Sequence, residues 1–347
     1  MKGLAAILVQ QKAPLALEEI EIPRPIVGQV LVKLLCSGIC GSQIGEINGV
    51  KGPDRFIPHL LGHEGSGIVM ECSEGVRTVK PGDKVVLHWR KGTGLEATTP
   101  VYNSKIGKVN AGWVTTFNEY AIISENRVTP IPKDFDSEAA ALLGCAVTTG
   151  FGVINNNAHL KIGQSIAVFG AGGIGLSIVQ GAALVSANPI IAVDLFDNRL
   201  ALARNLGATH AINSTQADAE AEIPKIVGNG GVDVAVDNTG DVSVIEMAYR
   251  LTSARGRTIL VGVPPKASTA SIYTLPLHFE KVLTGSHGGE SQPHLEIPNY
   301  VCLCNAGKLN LSACIGKRYN LTEINQAIEE MRSGAIAGRA IIRISSG

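Results

Sequence analysis

The sequence has 347 residues, with 30 basic and 30 acidic side chains and a formal net charge of zero at pH 7. This balance excludes the basic surface on which nucleic-acid binding depends. With 45% hydrophobic and 17% charged residues, the chain predicts folded cores, in about two domains, rather than disorder. No apolar run approaches the roughly 18 residues of a membrane span, and no signal peptide is recognisable. We therefore expect a cytoplasmic protein with reduced cysteines.

Roughly the first 150 residues contain short apolar runs separated by Gly and Pro. A strand is predicted at the N-terminus, and further strands are predicted at Val30–Leu34, Gly67–Met70, Asp83–Leu87 and Glu119–Ile123. Runs of this length and spacing are typical of an all-β domain.

From about residue 160 the pattern changes to strands that alternate with helices. Strands are predicted at Ser165–Phe169, Ile190–Asp194, Val232–Asp237 and Thr258–Val263, with helical segments between them. This alternation predicts an α/β fold with a doubly wound parallel sheet.

The C-terminal part is too short to form a core of its own. It contains a predicted helix at Thr322–Arg332 and a predicted strand at Ala340–Ile344. We expect it to return to the first domain. The predicted domains are therefore residues 1–147 with 288–347, which are rich in β-strands, and residues 148–287, which form the doubly wound sheet.

A glycine-rich turn follows the strand Ser165–Phe169. It consists of Gly170, Ala171, Gly172, Gly173, Ile174 and Gly175, which fit the pattern G-x-G-x-x-G. In a strand–turn–helix context such glycines make the tight turn, admit a pyrophosphate and let the helix pack on the strand. Asp194 ends the next strand, 19 residues after the last glycine, where a carboxylate binds the ribose 2′-hydroxyl and repels a 2′-phosphate. The turn predicts an NAD site; the alternative is a structural turn followed by a solvated Asp.

Three further residues could bind a metal ion. They are Cys40, His63 and Cys145. Two thiolates and one imidazole are a donor set that zinc takes in catalytic sites, with a fourth position open. They are about 20 and 80 residues apart, so their spacing does not predict that they lie close together. Each of them alone is typical of an ordinary core residue.

Taken together, these motifs resemble those of the zinc-dependent alcohol dehydrogenases of the medium-chain dehydrogenase/reductase family. The resemblance rests on residues 62–69 (Gly-His-Glu-Gly-Ser-Gly-Ile-Val), 81–85 (Pro-Gly-Asp-Lys-Val) and 261–265 (Val-Gly-Val-Pro-Pro), with Gly144-Cys145, the turn at 170–175 and Gly338-Arg339. It implies a GroES-like catalytic domain, a Rossmann coenzyme domain, one catalytic Zn²⁺ and NAD.

The resemblance also implies roles for individual residues. Cys40, His63 and Cys145 are the implied zinc ligands, and Glu64 is the acid beside the metal. Ser42 is implied to remove the proton from a zinc-bound alcohol, whose alkoxide passes hydride to nicotinamide. NAD contacts are implied for the glycine-rich turn and for Thr149, Asp194, Arg199, Val261, Val263, Gly285, His287 and Arg339. A substrate pocket is implied at Ser42, Trp89 and Phe117.

The chain departs from the family pattern in two places. Many relatives hold a structural zinc with four cysteines after the position of Trp89, but residues 90–112 contain no Cys, so we expect one zinc only. The basic residues of this segment suggest an anionic substrate, although a solvated surface is the favoured interpretation. Gln43 and Gly45 stand where the family often has Asp and His, which removes the usual end of a proton relay.

The preferred hypothesis is the oxidation of a secondary alcohol, polyol or sugar-like substrate, and the reverse reaction. The alternatives are a zinc-free quinone or enoyl reductase of the same superfamily and a non-catalytic dinucleotide-binding protein. A homodimer or homotetramer is expected by resemblance, with Ala270–Leu275 as a candidate edge strand.

Overall fold

The computed structural model describes residues 1–345. They divide into two compact units. The first unit comprises residues 1–146 together with the C-terminal segment from Gln292, and the second unit comprises Val147–Ser291. The predicted boundaries, after residues 147 and 287, lie one and four residues from these.

The N-terminal part of the first unit is mostly strand. Its strands are β1 (Lys2–Leu8), β2 (Ala16–Glu21), β3 (Gln29–Gly38), β4 (His59–Leu60), β5 (Glu64–Cys72), β6 (Lys84–His88), β7 (Val101–Ser104), β8 (Gly107–Asn110), β9 (Tyr120–Ser124) and β10 (Val128–Ile131). Its helices are α1 (Gly41–Ile47) and α2 (Ser137–Leu142).

The second unit alternates strands with helices. Its strands are β11 (Ile166–Phe169), β12 (Ile190–Asp194), β13 (His210–Asn213), β14 (Val232–Asp237), β15 (Thr252–Leu260) and β16 (Val282–Gly285). Helix α3 (Ala146–Gly152) begins at the boundary, and α4 (Gly173–Leu184), α5 (Asp197–Asn205), α6 (Ala219–Val227) and α7 (Val242–Leu251) follow. The C-terminal segment then adds α8 (Pro293–Asn305), β17 (Ile315–Asn320), α9 (Ile324–Arg332) and β18 (Arg339–Arg343) to the first unit.

The strands of the first unit form a closed barrel, in the order β1-β2-β7-β8-β4, and a larger sheet, in the order β10-β6-β5-β3-β18-β17 with β9 also on β3. Alternate side chains of β3, Val30, Val32 and Leu34, pack in one apolar cluster with Val85 and Leu87 of β6. This period of two follows from the pleat of the strand. The C-terminal strand β18 lies antiparallel to β3, so the two ends of the chain share one sheet.

The second unit is built on a six-stranded parallel sheet in the order β13-β12-β11-β14-β15-β16. Its central strands are continuous buried runs, because a parallel sheet is covered on both faces. The glycine-rich turn follows β11, Asp194 ends β12 and Asp237 ends β14. These groups lie at one edge of the sheet, because the three strands are adjacent and parallel.

Two strand predictions in the second unit are wrong. Strand β15 ends at Leu260 rather than at Val263, and Ala270–Leu275 is irregular chain that leads into a 3-10 turn at Leu275–Phe279. Pro264 and Pro265 lack the N–H that a strand needs, and the turn has a Pro at its start. The edge strand of the sheet is β16 instead.

None of the helices between residues 1 and 345 combines the length and the apolar character that crossing a bilayer requires.

Candidate functional site

Cys40, His63 and Cys145 come together in the first unit. Cys40 precedes α1, His63 lies between β4 and β5, and Cys145 lies between α2 and α3. Their ligand atoms are all within 4.8 Å of one another, and each cysteine is only 4% exposed. Three donors from distant parts of the chain thus converge, with both cysteines buried and His63 half-buried. The set of two sulfurs and one nitrogen fits zinc with one position open.

The backbone before His63 explains how it reaches this cluster. Gly62 has a φ of +89°, in the left-handed region that favours glycine. A Cβ atom at this position would lie 2.9 Å from the backbone nitrogen of Phe117. Only glycine therefore allows the tight approach to the Thr116–Phe117 backbone, and the chain turns there so that His63 faces the two cysteines.

The two thiols form a hydrogen-bonded pair. The hydrogen bond from Cys145 lowers the pKa of Cys40, against the effect of burial, and Arg339 and His63 lower it further. The same pairing raises the pKa of Cys145, because the second thiol would lose its proton beside an existing negative charge. One thiolate therefore forms readily, and a bound cation would stabilise the second.

Glu64 and Arg339 form a buried ion pair beside these thiols. Arg339 Nε lies 2.7 Å from Glu64 Oε1, and Nη2 donates to Oε2 at 3.0 Å. Glu64 Oε2 also accepts a hydrogen bond of 3.1 Å from the N–H of Ala146, the residue after Cys145. Glu64 thus contacts the backbone next to Cys145 and directly follows His63 in the sequence, so it is linked to two of the three candidate ligands. The predicted contact of Arg339 with a pyrophosphate stays a prediction, since this guanidinium has a carboxylate partner here.

Gln43 is the direct neighbour of His63. Its side chain is 6% exposed, and its Nε2 contacts His63 Nδ1 at 3.0 Å and Glu46 Oε2 at 3.2 Å. Gln43 Oε1 accepts a hydrogen bond from the Gly62 N–H. Because Nδ1 is occupied, Nε2 is the ring nitrogen left for the cluster. In the sequence, Gln43 stands out only as a departure from the family pattern, and no local signal links it to Gly62 or Glu46.

A second group of potential ligands was missed by the sequence analysis. Glu46, Asp54 and His59 have ligand atoms within 4.8 Å of one another. His59 Nε2 lies 2.7 Å from Asp54 Oδ2, and His59 Nδ1 lies 2.9 Å from the carbonyl oxygen of Leu60. The hydrogen bond between His59 and Asp54 accounts for this arrangement.

Of the predicted substrate residues, Ser42 is exposed and Trp89 is half-buried. Phe117 is 0% exposed and packs in an apolar cluster with residues such as Leu61 and Tyr319. Its place in a substrate pocket stays a prediction.

The segment that replaces the structural-zinc region is held by two buried charges. Glu125 accepts hydrogen bonds from the N–H groups of Arg77, Thr78 and Leu95 at 2.6, 2.7 and 2.7 Å. Arg127 donates to the carbonyl of Trp89 and, at 3.0 Å, to a Glu96 carboxylate oxygen. The sequence pattern around these two residues gave no sign of this role.

Two of the four basic residues of this segment have acidic partners. Lys91 pairs with Glu96, and Lys105 lies 2.8 Å from Glu18. These pairs favour a solvated surface, as the sequence analysis preferred, over an anion-binding loop.

In the second unit, the glycine-rich turn has the geometry of a phosphate loop. Gly170 has a φ of +90°, and a Cβ on Gly175 would collide with the Gly170 carbonyl oxygen. A Cβ on Gly172 would meet nothing within 4 Å, so the backbone there is open. Gly172 caps the twelve-residue helix α4, which begins at Gly173 and Ile174 with unpaired N–H groups suited to an anion.

Asp194 is tied to this turn. Its Oδ2 accepts a hydrogen bond of 2.7 Å from the Ala171 N–H, and its Oδ1 accepts from Leu195 and Phe196 at 2.8 and 3.1 Å. Arg199 Nη1 lies 3.8 Å from Oδ1. The carboxylate is therefore fixed next to the turn where the ribose of a dinucleotide would lie.

The remaining predicted cofactor residues lie on α3, in loops or at strand ends of the second unit. Thr149 is on α3 and 3% exposed, Val261 and Val263 follow β15, Gly285 ends β16, and the His287 N–H donates to Glu290 at 2.9 Å. Within the described chain, Thr149 Oγ1 and both polar side-chain atoms of Asn238 are buried without a hydrogen-bond partner. Asn238 follows β14 beside Gly170. The orphaned polar atoms of Asn238, beside the turn, fit a site that takes a polar ligand.

Comparison with known proteins gives consistent matches. Residues 27–133 match the family model of the alcohol dehydrogenase GroES-like domain, and residues 173–304 match that of zinc-binding dehydrogenases. The S-(hydroxymethyl)glutathione dehydrogenase of Escherichia coli O1:K1 / APEC is 32% identical, over 99% of this chain and 100% of its own.

Two solved structures extend this similarity over the chain. An alcohol dehydrogenase zinc-binding domain protein from Burkholderia ambifaria is 30% identical with a TM-score of 0.91, and the match covers 100% of both chains. Benzyl alcohol dehydrogenase from Acinetobacter calcoaceticus is 30% identical with a TM-score of 0.89, and the match covers 99% of this chain and 100% of that one.

Proposed function

Because the chain belongs to the zinc-containing alcohol dehydrogenases of the medium-chain dehydrogenase/reductase family, we propose that it uses one zinc ion and NAD to oxidise an alcohol to a carbonyl compound, and catalyses the reverse reaction. The convergence of Cys40, His63 and Cys145 within 4.8 Å in a buried site carries this proposal. A zinc-free reductase has no need of such a donor set.

The chemistry divides between the bound groups and the chain. When bound, zinc supplies a Lewis acid that polarises the substrate oxygen, and the nicotinamide takes up hydride. Cys40, His63 and Cys145 bind the metal, while Glu64 orients its two neighbouring ligands through the bonds described above. Ser42 accepts the hydroxyl proton. Because Ser42 is exposed at the start of α1, it can pass that proton to solvent without the relay histidine that Gly45 replaces.

For the cofactor we propose NAD rather than NADP. The fixed carboxylate of Asp194 is suited to accept hydrogen bonds from ribose hydroxyls, and its charge would repel a 2′-phosphate. The Gly170–Gly175 turn and Arg199 complete the adenosine side of the proposed site, and Thr149, Val261, Val263, Gly285 and His287 form the nicotinamide side.

For the substrate we propose a secondary alcohol, a polyol or a sugar-like alcohol with Trp89 against its apolar part. Lys91 and Lys105 of the 90–112 segment already pair with carboxylates, which disfavours an anionic substrate there. The relatives named above act on a hydroxymethyl thiol adduct and on benzyl alcohol, so both belong in the test. A panel of these alcohols is offered with NAD⁺, and the appearance of NADH is followed; no turnover of any member would contradict the substrate proposal.

The metal proposal has its own experiment. Metal analysis of protein from zinc-replete medium should give about one zinc per chain, as a single three-ligand site requires. Cys40→Ser should lose this zinc, whereas Cys302→Ser, at an exposed thiol, should keep it. A native protein isolated without metal would contradict the mechanism, and two zinc ions per chain would contradict the single site.

We also propose a homodimer or homotetramer. The second unit exposes Tyr273, Leu275 and Phe279 by 69%, 52% and 67%, and β16 is an edge strand with an unpaired side. Exposed apolar groups beside an open strand edge favour self-association. Light scattering after size-exclusion chromatography measures the mass, and a monomer would overturn this proposal.

A further inference from the structure

The Gln43 side chain lies among three polar groups that make different demands on it. The Gly62 N–H needs an acceptor, the Glu46 carboxylate needs a donor, and His63 Nδ1 takes either role according to where its ring hydrogen lies. Gln43 is 6% exposed, so water does not substitute freely for any of these partners.

An amide side chain offers one oxygen and one NH2 group. In the structure the oxygen of Gln43 is used by Gly62, and the NH2 group faces both Glu46 and His63 Nδ1. Nδ1 is therefore an acceptor, and the ring hydrogen of His63 lies on Nε2. There it can donate to Cys40, with which His63 shares a hydrogen bond. This pattern satisfies every group in the absence of metal.

A metal ion at Nε2 requires the opposite pattern. Nε2 must then offer its lone pair, so the ring hydrogen lies on Nδ1 and meets the NH2 group of Gln43. Turning the amide over would give Nδ1–H an acceptor, but it would place NH2 against the Gly62 N–H and the oxygen against the Glu46 carboxylate. Neither orientation of the amide satisfies all three neighbours once the metal is bound.

We propose that Gln43 is a positioning residue that sets the metal affinity of this site, by stabilising the metal-free tautomer of His63 and so making the zinc weakly held and exchangeable. The inference rests on the proposed zinc site at Cys40, His63 and Cys145. Neighbours that orient a ligating histidine typically change metal affinity by about 10- to 100-fold, so an effect of this size is expected.

The proposal can be tested by exchanging the side chains of Gln43 and Glu46. In Gln43→Glu the carboxylate has acceptors for both Gly62 N–H and His63 Nδ1–H, but its second oxygen would face Glu46 at the present 3.2 Å contact. Adding Glu46→Gln turns that repulsion into a hydrogen bond. The double variant has the same composition and net charge as the native protein and differs only in which position carries the carboxylate.

The first measurement is zinc affinity, by competition with a chromophoric chelator. The double variant is expected to bind zinc at least about 10-fold more tightly than the native protein, with slower release to excess chelator. The single variant Glu46→Gln, which leaves the amide at position 43, should show no such gain. Equal affinity in the native protein and the double variant would overturn this inference alone, whereas no zinc binding by either would overturn the proposed function as well.

The second measurement needs no metal. With ¹⁵N-labelled histidine, the ring-nitrogen shifts of metal-free protein report which nitrogen carries hydrogen, and His63→Gln identifies the signal. We expect Nε2–H in the native protein and Nδ1–H in the double variant. A residue that only supports the fold would leave this tautomer unchanged, and Nδ1–H in the native protein would overturn the inference. Thermal unfolding in chelator checks that the double variant is folded.

Discussion

Arg339 and Glu64 form an ion pair with two N···O contacts, one of them a hydrogen bond, and the two residues are 3% and 0% exposed. Glu64 opens β5 and Arg339 opens β18, so the pair joins the N-terminal and C-terminal parts of the first unit. Burial raises the pKa of Glu64, and the positive charge of Arg339 opposes this. The same guanidinium lies close enough to lower the pKa of Cys40. The pair thus has a structural role and also sets the field around the candidate metal ligands.

The first prediction concerns the stability of this pair. Arg339→Met should lower the free energy of unfolding by about 3–5 kcal/mol, because it leaves the Glu64 carboxylate buried without a counter-charge. Adding Glu64→Gln should recover part of this loss. Both tryptophans of the sequence, Trp89 and Trp113, lie in the first unit, so their fluorescence in urea, with chelator present, reports the unfolding of this unit.

The control for this prediction is Arg343→Met. Arg343 lies on the same strand but is 57% exposed, and it pairs with Glu138 at 2.6 Å. Its loss should shift the urea midpoint far less than the loss of Arg339. Equal shifts for the two variants would show that burial of the Arg339–Glu64 pair has no special effect.

The second prediction separates two roles of glycine in the 170–175 turn. Gly175→Ala should disrupt the second unit, because its Cβ would collide with the Gly170 carbonyl oxygen. Gly172→Ala should leave the thermal midpoint unchanged, because it has an extended φ of −74° and open space around its Cβ. If the pyrophosphate approaches the backbone there, the added Cβ would hold it away from the turn. NADH should then bind Gly172→Ala at least about 10-fold more weakly than the native protein. NADH fluorescence titration measures this, and unchanged binding would exclude the turn as the phosphate site.

Much of the second unit could be predicted from local sequence. The predicted strands Ile190–Asp194 and Val232–Asp237 coincide with β12 and β14, and Ser165–Phe169 differs from β11 by one residue. These strands are buried on both faces, so their sequences are continuous apolar runs that end in turn residues. The strand prediction at Ala270–Leu275 failed because prolines precede and follow this segment and it pairs with no strand of the described sheet.

The surroundings of the metal ligands could not be predicted in the same way. Glu64 and Arg339 are 275 residues apart, and Gln43 reaches Gly62 across 19 residues. Contacts between residues so far apart in the sequence depend on how sheets and loops pack together, and the hydrophobic periodicity of the sequence does not predict this. The packing of Phe117 in the apolar core of the first unit could not be predicted from the family pattern either.

The third prediction tests the cofactor preference. Asp194→Asn removes the charge that should repel a 2′-phosphate, so the ratio of NADPH to NADH affinity should rise by about 10-fold or more, a change of about 1.4 kcal/mol. Asp197→Asn is the matched control, because Asp197 is exposed at the start of the neighbouring helix α5. Dissociation constants for the two reduced dinucleotides measure the ratio. A native protein that binds NADPH more tightly would overturn the assignment of NAD.

The fourth prediction is a pH dependence at Glu125, the buried acid that accepts a hydrogen bond from Leu95 of the 90–112 segment. Burial raises its pKa, but the hydrogen bonds from the backbone of Arg77, Leu95 and Thr78 outweigh this and leave the pKa below its usual value. A carboxyl group with a lower pKa in the folded state stabilises the fold above its unfolded pKa of about 4.3, and this contribution is lost as the pH falls through the folded value.

Glu125→Gln should therefore lower the free energy of unfolding by about 1–3 kcal/mol at neutral pH, since it weakens charge-assisted hydrogen bonds. The difference from the native protein should shrink as the pH falls below the unfolded pKa of about 4.3 and through the lower pKa of the folded carboxyl group. Urea unfolding followed by tryptophan fluorescence at pH 7 and below pH 4 measures both. Glu74→Gln, at an exposed acid nearby, should show neither effect. A Glu125→Gln deficit that stayed constant with pH would mean that shape rather than charge holds the segment.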